Sequence, residues 1–180
     1  FKLRMAGNAM KFYKKSGMRT IARGTGLLKL MPGDAELADD YLPELSKKFF
    51  VAKGQVHPAQ GVRKAKVAML AGCVMALTHA ESLEATVRVL TRNGIEVHLT
   101  GGQGCCGALN THSGEPDSAI EMAKKNIDSF LSASPDAIVS ASAGCGAAMK
   151  DYGELLANET EYAAKAEQVA ELTKDIHELL

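Results

Sequence analysis

The sequence predicts an α/β fold, a parallel sheet with flanking helices, preceded by a helical lead-in. Three short segments rich in apolar residues are each followed by a loop rich in glycine or serine, as is typical of the strands of a parallel sheet. Between them lie longer segments whose apolar residues recur every three or four positions, as in amphipathic helices. Strands that alternate with helices in this way build a parallel sheet.

Residues 1–63 form the predicted lead-in, and residues 64–180 form the predicted sheet domain. Turn signals divide the lead-in into short helices. Asp34 is expected to cap a helix over residues 35–50, which a proline ends or kinks. Residues 53–61, KGQVHPAQG, are interpreted as a linker.

Strands and helices alternate in the predicted sheet domain. The predicted strands are KVAMLAG from residue 66, IEVHLT from residue 95 and DAIVSAS from residue 136. Thr78 is expected to cap the first helix, with Glu81 as its capping-box partner. A second helix covers residues 115–134, and a third begins at or just after Gly144. The apolar spacing over residues 158–180 predicts one last, continuous helix.

Composition and charge limit the classes of protein to which this chain can belong. A chain of 180 residues, 46% hydrophobic and 23% charged, can bury a core, and its apolar runs are too short to span a bilayer. The first 30 residues carry eight Lys or Arg and no acid. This basic segment is interpreted either as a solvated face or as a docking surface for a partner subunit or an anionic membrane. Aromatic residues do not interleave with the basic ones, which argues against nucleic acid.

The chain has four cysteines, and each follows a predicted strand: Cys73, Cys105, Cys106 and Cys145. Because the carboxyl ends of parallel strands lie at one edge of a sheet, we expect all four thiols to meet there. Each loop leads to a helix N-terminus, whose dipole favours the thiolate form. Four thiolates suit zinc or an iron–sulfur cluster.

The spacing of the cysteines separates these two cofactors. Zinc sites are usually built from Cys-x2–4-Cys pairs, whereas Cys105 and Cys106 are adjacent and reach different irons of a cluster more readily than one small ion. The sequence therefore favours a cluster. Two alternatives stay open: Cys73 and Cys145 as small buried residues of turns, and thiol–disulfide chemistry at the adjacent pair.

Three further residues are candidate cofactor-binding positions. Gly104 and Gly107 flank the cysteine pair and are expected to shape the loop and turn N–H groups toward the cofactor. His112 has two interpretations, as a proton donor or ligand beside the thiols, or as a cap of the GALNTH turn. His79 is expected to face solvent.

Five stretches of the chain fit a known pattern: GC at 72–73, GCCGAL at 104–109, His112, NID at 126–128 and GCGAAMKDYGELL at 144–156. They resemble the cysteine-rich CCG domain of iron–sulfur oxidoreductases, a family that includes a heterodisulfide reductase subunit, an anaerobic glycerol-3-phosphate dehydrogenase subunit and lactate-utilisation proteins. The resemblance is greatest to glycolate oxidase iron–sulfur subunits, and the lead-in is similar to the stretch that precedes this domain in them.

The fuller family motif ends Cys-x-x-Cys, and Ala148 stands at its last position here, which leaves four thiolates. Position 148 lies about one helical turn beyond Cys145 in the predicted third helix. A thiol introduced there is therefore expected to project toward the same rim as Cys145.

The resemblance implies an electron-transfer subunit that holds a 4Fe-4S cluster on its four cysteines, with FAD on a partner. The flavin-containing partner would oxidise glycolate to glyoxylate, and electrons would pass toward a membrane quinone. It also implies a cytoplasmic location, peripheral on the inner face of the membrane, and an internal fragment of a longer subunit. The alternatives are a lactate, glycerol-3-phosphate or heterodisulfide reductase-like system, and a docking module whose cluster site is degenerate.

Overall fold

The computed structural model describes residues 2–180 and contains a mixed sheet with helices on both faces. Its strands are β1 (Gln55–His57), β2 (Ala65–Met69), β3 (Ile95–Leu99), β4 (Ala137–Ser140) and β5 (Thr173–Asp175). Its helices are α1 (Lys2–Lys15), α2 (Met18–Gly24), α3 (Leu27–Leu30), α4 (Ala35–Asp40), α5 (Met75–Thr78), α6 (Ala80–Arg92), α7 (Ala108–His112), α8 (Pro116–Leu131), α9 (Ala143–Lys150), α10 (Tyr152–Leu155), α11 (Ala163–Leu172) and α12 (Ile176–Leu179).

The strands lie in the order β1-β3-β2-β4-β5. Neighbouring strands from β3 to β5 are parallel, and β1 pairs antiparallel with β3 at one edge. The predicted fold class, a parallel α/β sheet with flanking helices behind a helical lead-in, is therefore confirmed, with one antiparallel edge strand added to it. This order places β2 and β4 inside the sheet, so the loops that follow β2, β3 and β4 are neighbours.

The core lies on both faces of the sheet because alternate residues of a strand point to opposite faces. Val67 and Met69 of β2 pack with residues of α6, including Leu83. Ala68, between them, packs on the other face with residues of α8, α9 and α11, including Phe130. The central strands β2 and β4 are thus covered by helices on both sides, in keeping with their buried apolar residues.

The predicted last helix is wrong over its second half. The helix α11 ends at Leu172, β5 follows, and α12 completes the chain with a capping box between Asp175 and Glu178. Thr173 is fully buried and pairs with Ile138 of β4. Its β-branched side chain fits a strand, and the ladder bonds at the free side of β4 outweigh the helical spacing of the sequence.

Two predictions for the lead-in also need correction. The expected linker at residues 53–61 contains β1, whose pairing with β3 depends on a strand more than thirty residues away in sequence. The expected helix over residues 35–50 ends at Asp40, and the Asp34 side chain makes no capping hydrogen bond. Four short helices do fill residues 2–40, as the helical lead-in predicted.

The basic segment is partly neutralised within the lead-in itself. Asp39 is buried, and its carboxylate accepts hydrogen bonds from Arg19 and Arg23. Burial opposes the charged form of Asp39, but the guanidinium of Arg23 and then that of Arg19 bring its pKa below the ordinary value. Lys14 bonds Glu44. Among the helices described for residues 2–180, none is long and apolar enough to cross a membrane.

The N-terminus of α6 is capped from the lead-in and not by Thr78. The Ser46 hydroxyl oxygen accepts the Ala80 N–H at 2.9 Å, and the same hydroxyl donates to the Glu81 carboxylate at 2.6 Å. Ser46 also donates its backbone N–H to the Leu77 carbonyl. The serine therefore ties the lead-in to the first helix of the sheet domain.

Replacing Ser46 with alanine is expected to lower the free energy of unfolding by about 1 kcal/mol, the usual effect of losing an N-cap side chain. Chemical denaturation of the reduced chain measures this. The exposed Ser113→Ala variant serves as the control and is expected to change stability by less than about 0.5 kcal/mol. Equal stabilities for the two variants would show that the hydroxyl of Ser46 does not cap α6.

Candidate functional site

The four cysteines line one cleft at the carboxyl edge of the sheet. Cys73 lies in the loop after β2, Cys105 and Cys106 in the loop after β3, and Cys145 in the first turn of α9, after β4. The cleft has a volume of about 450 Å³ and is lined mostly by apolar groups, among them Leu70. The predicted convergence of the thiols is thus confirmed, because parallel strands bring their following loops to the same edge.

The sulfurs differ in their surroundings. Cys73 Sγ and Cys105 Sγ lie 3.4 Å apart, and both side chains are half-buried, as is that of Cys145. Cys106 is only 4% exposed and packs into the core beside α8 and α9. The Gly107 N–H points to Cys105 Sγ at 3.5 Å. Three half-buried thiols therefore line the cleft together with the buried thiol of Cys106.

The crowding of the thiols separates their pKa values. Hydrogen bonds from Cys106 and then from Cys73 lower the pKa of Cys105 far below its usual range. The Cys106 thiol likewise lowers the pKa of Cys145, to about 6. The pKa values of Cys73 and Cys106 are raised instead. The main cause for each is its hydrogen bond to Cys105, and burial contributes to both. The group can hold negative charge by sharing its remaining protons, which suits the binding of a cationic cofactor.

Within residues 2–180, no set of three or more Cys, His, Asp or Glu side chains is arranged to hold a single metal ion. The donor set does fit an iron–sulfur cluster in its chemistry: four thiols from two loops and the first turn of α9 line a largely apolar cleft. Cys73, Cys105, Cys106 and Cys145 are the residues that would hold it.

The protein's own backbone and packing require glycine at one of the two predicted positions, Gly107. Gly107 has φ +88°, and a Cβ there would lie 3.2 Å from the Ala119 backbone of α8. Gly104 has no such positive φ, and a Cβ there would meet nothing within 4 Å. The expectation that the glycines serve backbone geometry is therefore confirmed for Gly107. At Gly104 neither a positive φ nor a neighbouring protein atom requires glycine, and its place beside the cofactor stays a prediction.

His79 is exposed, as predicted, whereas His112 does not line the thiol cleft. His112 ends α7 and lines a neighbouring cavity of about 200 Å³, not the thiol cleft. His79, expected only to face solvent, is exposed and also lines the cleft, with Nδ1 2.8 Å from the Thr78 hydroxyl. The sequence does not indicate that His79 lines the cleft, because its position depends on the short helix α5 that precedes it.

Ala148 marks the last position of the fuller cysteine motif. It lines the same neighbouring cavity as His112, together with Cys106 and Tyr152, and it packs against the core. The sequence predicts that a thiol at this position projects toward the rim with Cys145. The structure corrects that expectation, since Ala148 and Cys145 line different cavities, which adjoin at Cys106, Ala108 and Gly144.

Polar side chains that the sequence reasoning missed support the cysteine loop. Gln103 accepts the Ala71 N–H and donates to the Met69 carbonyl, which joins the loops that carry Cys73 and Cys105. Asn126 and Tyr152 donate hydrogen bonds to the backbone carbonyls of Cys105 and Cys106, respectively. Asn126 lies in the NID stretch, and Tyr152 in the last matching stretch, so the resemblance contained these residues without assigning them a role.

Comparison with known proteins identifies two segments. Residues 67–150 match a family profile described as a cysteine-rich domain, CCG. Residues 1–39 match a second profile, described as the linker region of the glycolate oxidase iron–sulfur subunit. No solved structure matches the chain.

Several curated proteins are similar over much of the chain. A probable glycolate oxidase iron–sulfur subunit from Bacillus subtilis is 31% identical over 99% of this chain and 40% of its own length. The glycolate oxidase iron–sulfur subunit from Escherichia coli is 33% identical over 92% of this chain and 42% of its own length. Lactate utilization protein A from Bacillus velezensis is 32% identical over 64% of this chain and 48% of its own length.

The chain spans about 40% of the length of the glycolate oxidase relatives that it matches. The linker match lies on the basic lead-in helices, and the CCG match begins in β2 and ends with α9. The CCG match therefore contains all four cysteines and the sheet edge at which they meet. Residues 67–150 thus match the CCG cysteine-rich domain family, and residues 1–39 match the linker of glycolate oxidase iron–sulfur subunits, as expected from the similarity to such subunits over most of the chain.

Proposed function

We propose that this chain is the cluster-holding part of the iron–sulfur subunit of a flavin-dependent glycolate dehydrogenase. The observation that carries the proposal is the meeting of four thiols, from two loops and the first turn of α9, in one apolar cleft. The linker match at residues 1–39 supports glycolate over the lactate alternative, because the similarity to lactate utilization protein A covers only 115 residues, against 180 and 171 for the glycolate oxidase relatives.

In this proposal the cysteines Cys73, Cys105, Cys106 and Cys145 hold a 4Fe-4S cluster, which supplies one-electron transfer when bound. Oxidation of glycolate to glyoxylate releases two electrons and two protons to FAD on a partner subunit. The electrons then leave singly through the iron–sulfur subunit toward a quinone. A cytoplasmic position, peripheral at the inner face of the membrane, is part of the same proposal.

The chain's own groups prepare the cleft for that task. Leu70 and its apolar neighbours exclude water, which strengthens the attraction between thiolates and a cationic centre. The Gly107 N–H points at Cys105 Sγ, where it stabilises negative charge on the sulfur. Hydrogen bonds to ligand sulfurs and limited solvent access are among the factors that set the reduction potential of a cluster.

Anaerobic reconstitution of the chain with iron and sulfide tests the cofactor. We expect about four iron and four sulfide per chain, a brown colour and a reduced-state electron paramagnetic resonance signal. A folded, colourless chain that binds zinc in place of iron contradicts the cluster. A folded chain that binds neither metal identifies the docking module with a degenerate site.

The substrate is tested in the assembled complex, with the flavin subunits co-expressed. Glycolate is expected to bleach the visible absorbance of the cluster, whereas lactate and glycerol-3-phosphate at the same concentration are not. Bleaching by lactate alone would move the chain to the lactate system while leaving the cofactor assignment in place.

A further inference from the structure

The loop that carries the adjacent cysteines is held by two fully buried polar side chains. Asn126, in the middle of α8, and Tyr152, the first residue of α10, are both 0% exposed. Both lie on the same face of the sheet, under the loop after β3. A buried amide and a buried phenol are costly unless they find hydrogen-bond partners, so the contacts they make restrict how the loop can run.

The side-chain amide of Asn126 both accepts and donates hydrogen bonds. Its Oδ1 accepts the Gly104 N–H at 2.8 Å, and its Nδ2 donates to the Cys105 carbonyl at 2.8 Å. The second Nδ2 hydrogen goes to the Tyr152 hydroxyl oxygen at 3.1 Å. The reverse orientation of the amide would oppose oxygen to the Cys105 carbonyl and NH2 to the Gly104 N–H. One orientation therefore serves all three contacts.

Tyr152 completes the set. Its hydroxyl accepts from Asn126 and donates to the Cys106 carbonyl at 2.9 Å. Both carbonyls of the cysteine pair thus point inward to the same two side chains. With the two peptide groups directed this way, the Cys105 side chain lies half-buried at the cleft and the Cys106 side chain is buried beside the core.

We propose that Asn126 and Tyr152 are positioning residues, which hold Gly104–Cys106 in its ligand-presenting conformation before any cofactor binds. Only the part of this proposal that is tested by reconstituting a cluster rests on the proposed function. Its central claim concerns the backbone of the metal-free chain. Ordering the loop in advance lowers the entropy lost when the cysteines take up a cofactor.

Amide hydrogen exchange of the metal-free, reduced chain tests the proposal. In Asn126→Ala, the Gly104 N–H loses its acceptor, and exchange in residues 104–107 is expected to rise about tenfold. Tyr152→Phe keeps the packing of the ring, and we expect a smaller increase confined to the same residues. Alkylation of Cys106 by iodoacetamide is expected to become several-fold faster in both variants.

Matched controls remove similar groups elsewhere. Asn93→Ala deletes an exposed amide that bonds the Val89 carbonyl, and Tyr162→Phe deletes a hydroxyl that donates to Asp128. Neither control should alter exchange at residues 104–107. If Asn126→Ala does not fold, Tyr152→Phe decides the question. Folded variants whose loop exchange and Cys106 alkylation equal those of the controls overturn the proposal.

Reconstitution then separates this proposal from the proposed function. In Tyr152→Phe we expect an altered electron paramagnetic resonance signal and faster loss of iron to a chelator than in Tyr162→Phe. If the unaltered chain takes up no iron, the proposed function fails, while the exchange experiment still decides the positioning role. If iron binds and the two tyrosine variants give identical signals and iron losses, the positioning role fails and the cofactor assignment stands.

Discussion

Replacing Gly107 with valine is expected to lower the free energy of unfolding by about 3 kcal/mol and to abolish cofactor uptake. The residue has φ +88°, a conformation that β-branched side chains scarcely adopt, and this costs about 1–2 kcal/mol. The new side chain would also press on the Ala119 backbone, which cannot rotate away, and overpacking of this kind costs about 1–3 kcal/mol. Chemical denaturation of the reduced chain measures the loss.

Two other glycines of the same loop separate these causes. Gly102 has φ +89° and open space around it, so Gly102→Ala should show the backbone cost alone, about 1 kcal/mol. Gly104 has neither constraint, and Gly104→Ala should change stability by less than about 0.5 kcal/mol. If Gly107→Val is no less stable than Gly102→Ala, the close approach to α8 has no energetic weight.

The second large effect is expected at the thiols. Cys105→Ala should reduce iron per chain to near background after anaerobic reconstitution, since Cys105 lies beside Cys73 and receives the Gly107 N–H. Its half-buried side chain packs little, so we expect a loss of stability below about 1 kcal/mol. Cys106→Ala should also lose iron, with a larger effect on stability because that side chain is 4% exposed.

Ala148→Cys provides the control for the number of thiols. It adds a sulfur in the neighbouring cavity and not in the cleft, so iron content and the electron paramagnetic resonance signal should match those of the unaltered chain. A changed electron paramagnetic resonance signal would show that a cysteine at position 148 acts as a cluster ligand. Full iron content in Cys105→Ala would remove that cysteine from it.

The sequence was sufficient for the features that depend on local pattern and on the geometry of parallel sheets. The apolar residues of β2, β3 and β4 predict strands, and the helical spacing of residues 115–134 predicts α8 closely. Once the strands are parallel, the convergence of the four cysteines follows, because every strand ends at the same edge. The pattern of thiols at that edge was therefore predictable without any contact being known.

Only the tertiary structure decided the features that depend on residues far apart in the chain. Residues 173–175 have helical spacing, yet they form β5 because β4 offers backbone partners. Gly104 and Gly107 look alike in sequence, and the passage of α8 beneath the loop distinguishes them. Asn126 and Tyr152 lie at least twenty residues from the carbonyls that they bind. The sequence by itself determined which residues reach the sheet edge, and tertiary packing decided how they are held there, because hydrogen bonds and steric contacts between distant segments leave no periodic trace in the sequence.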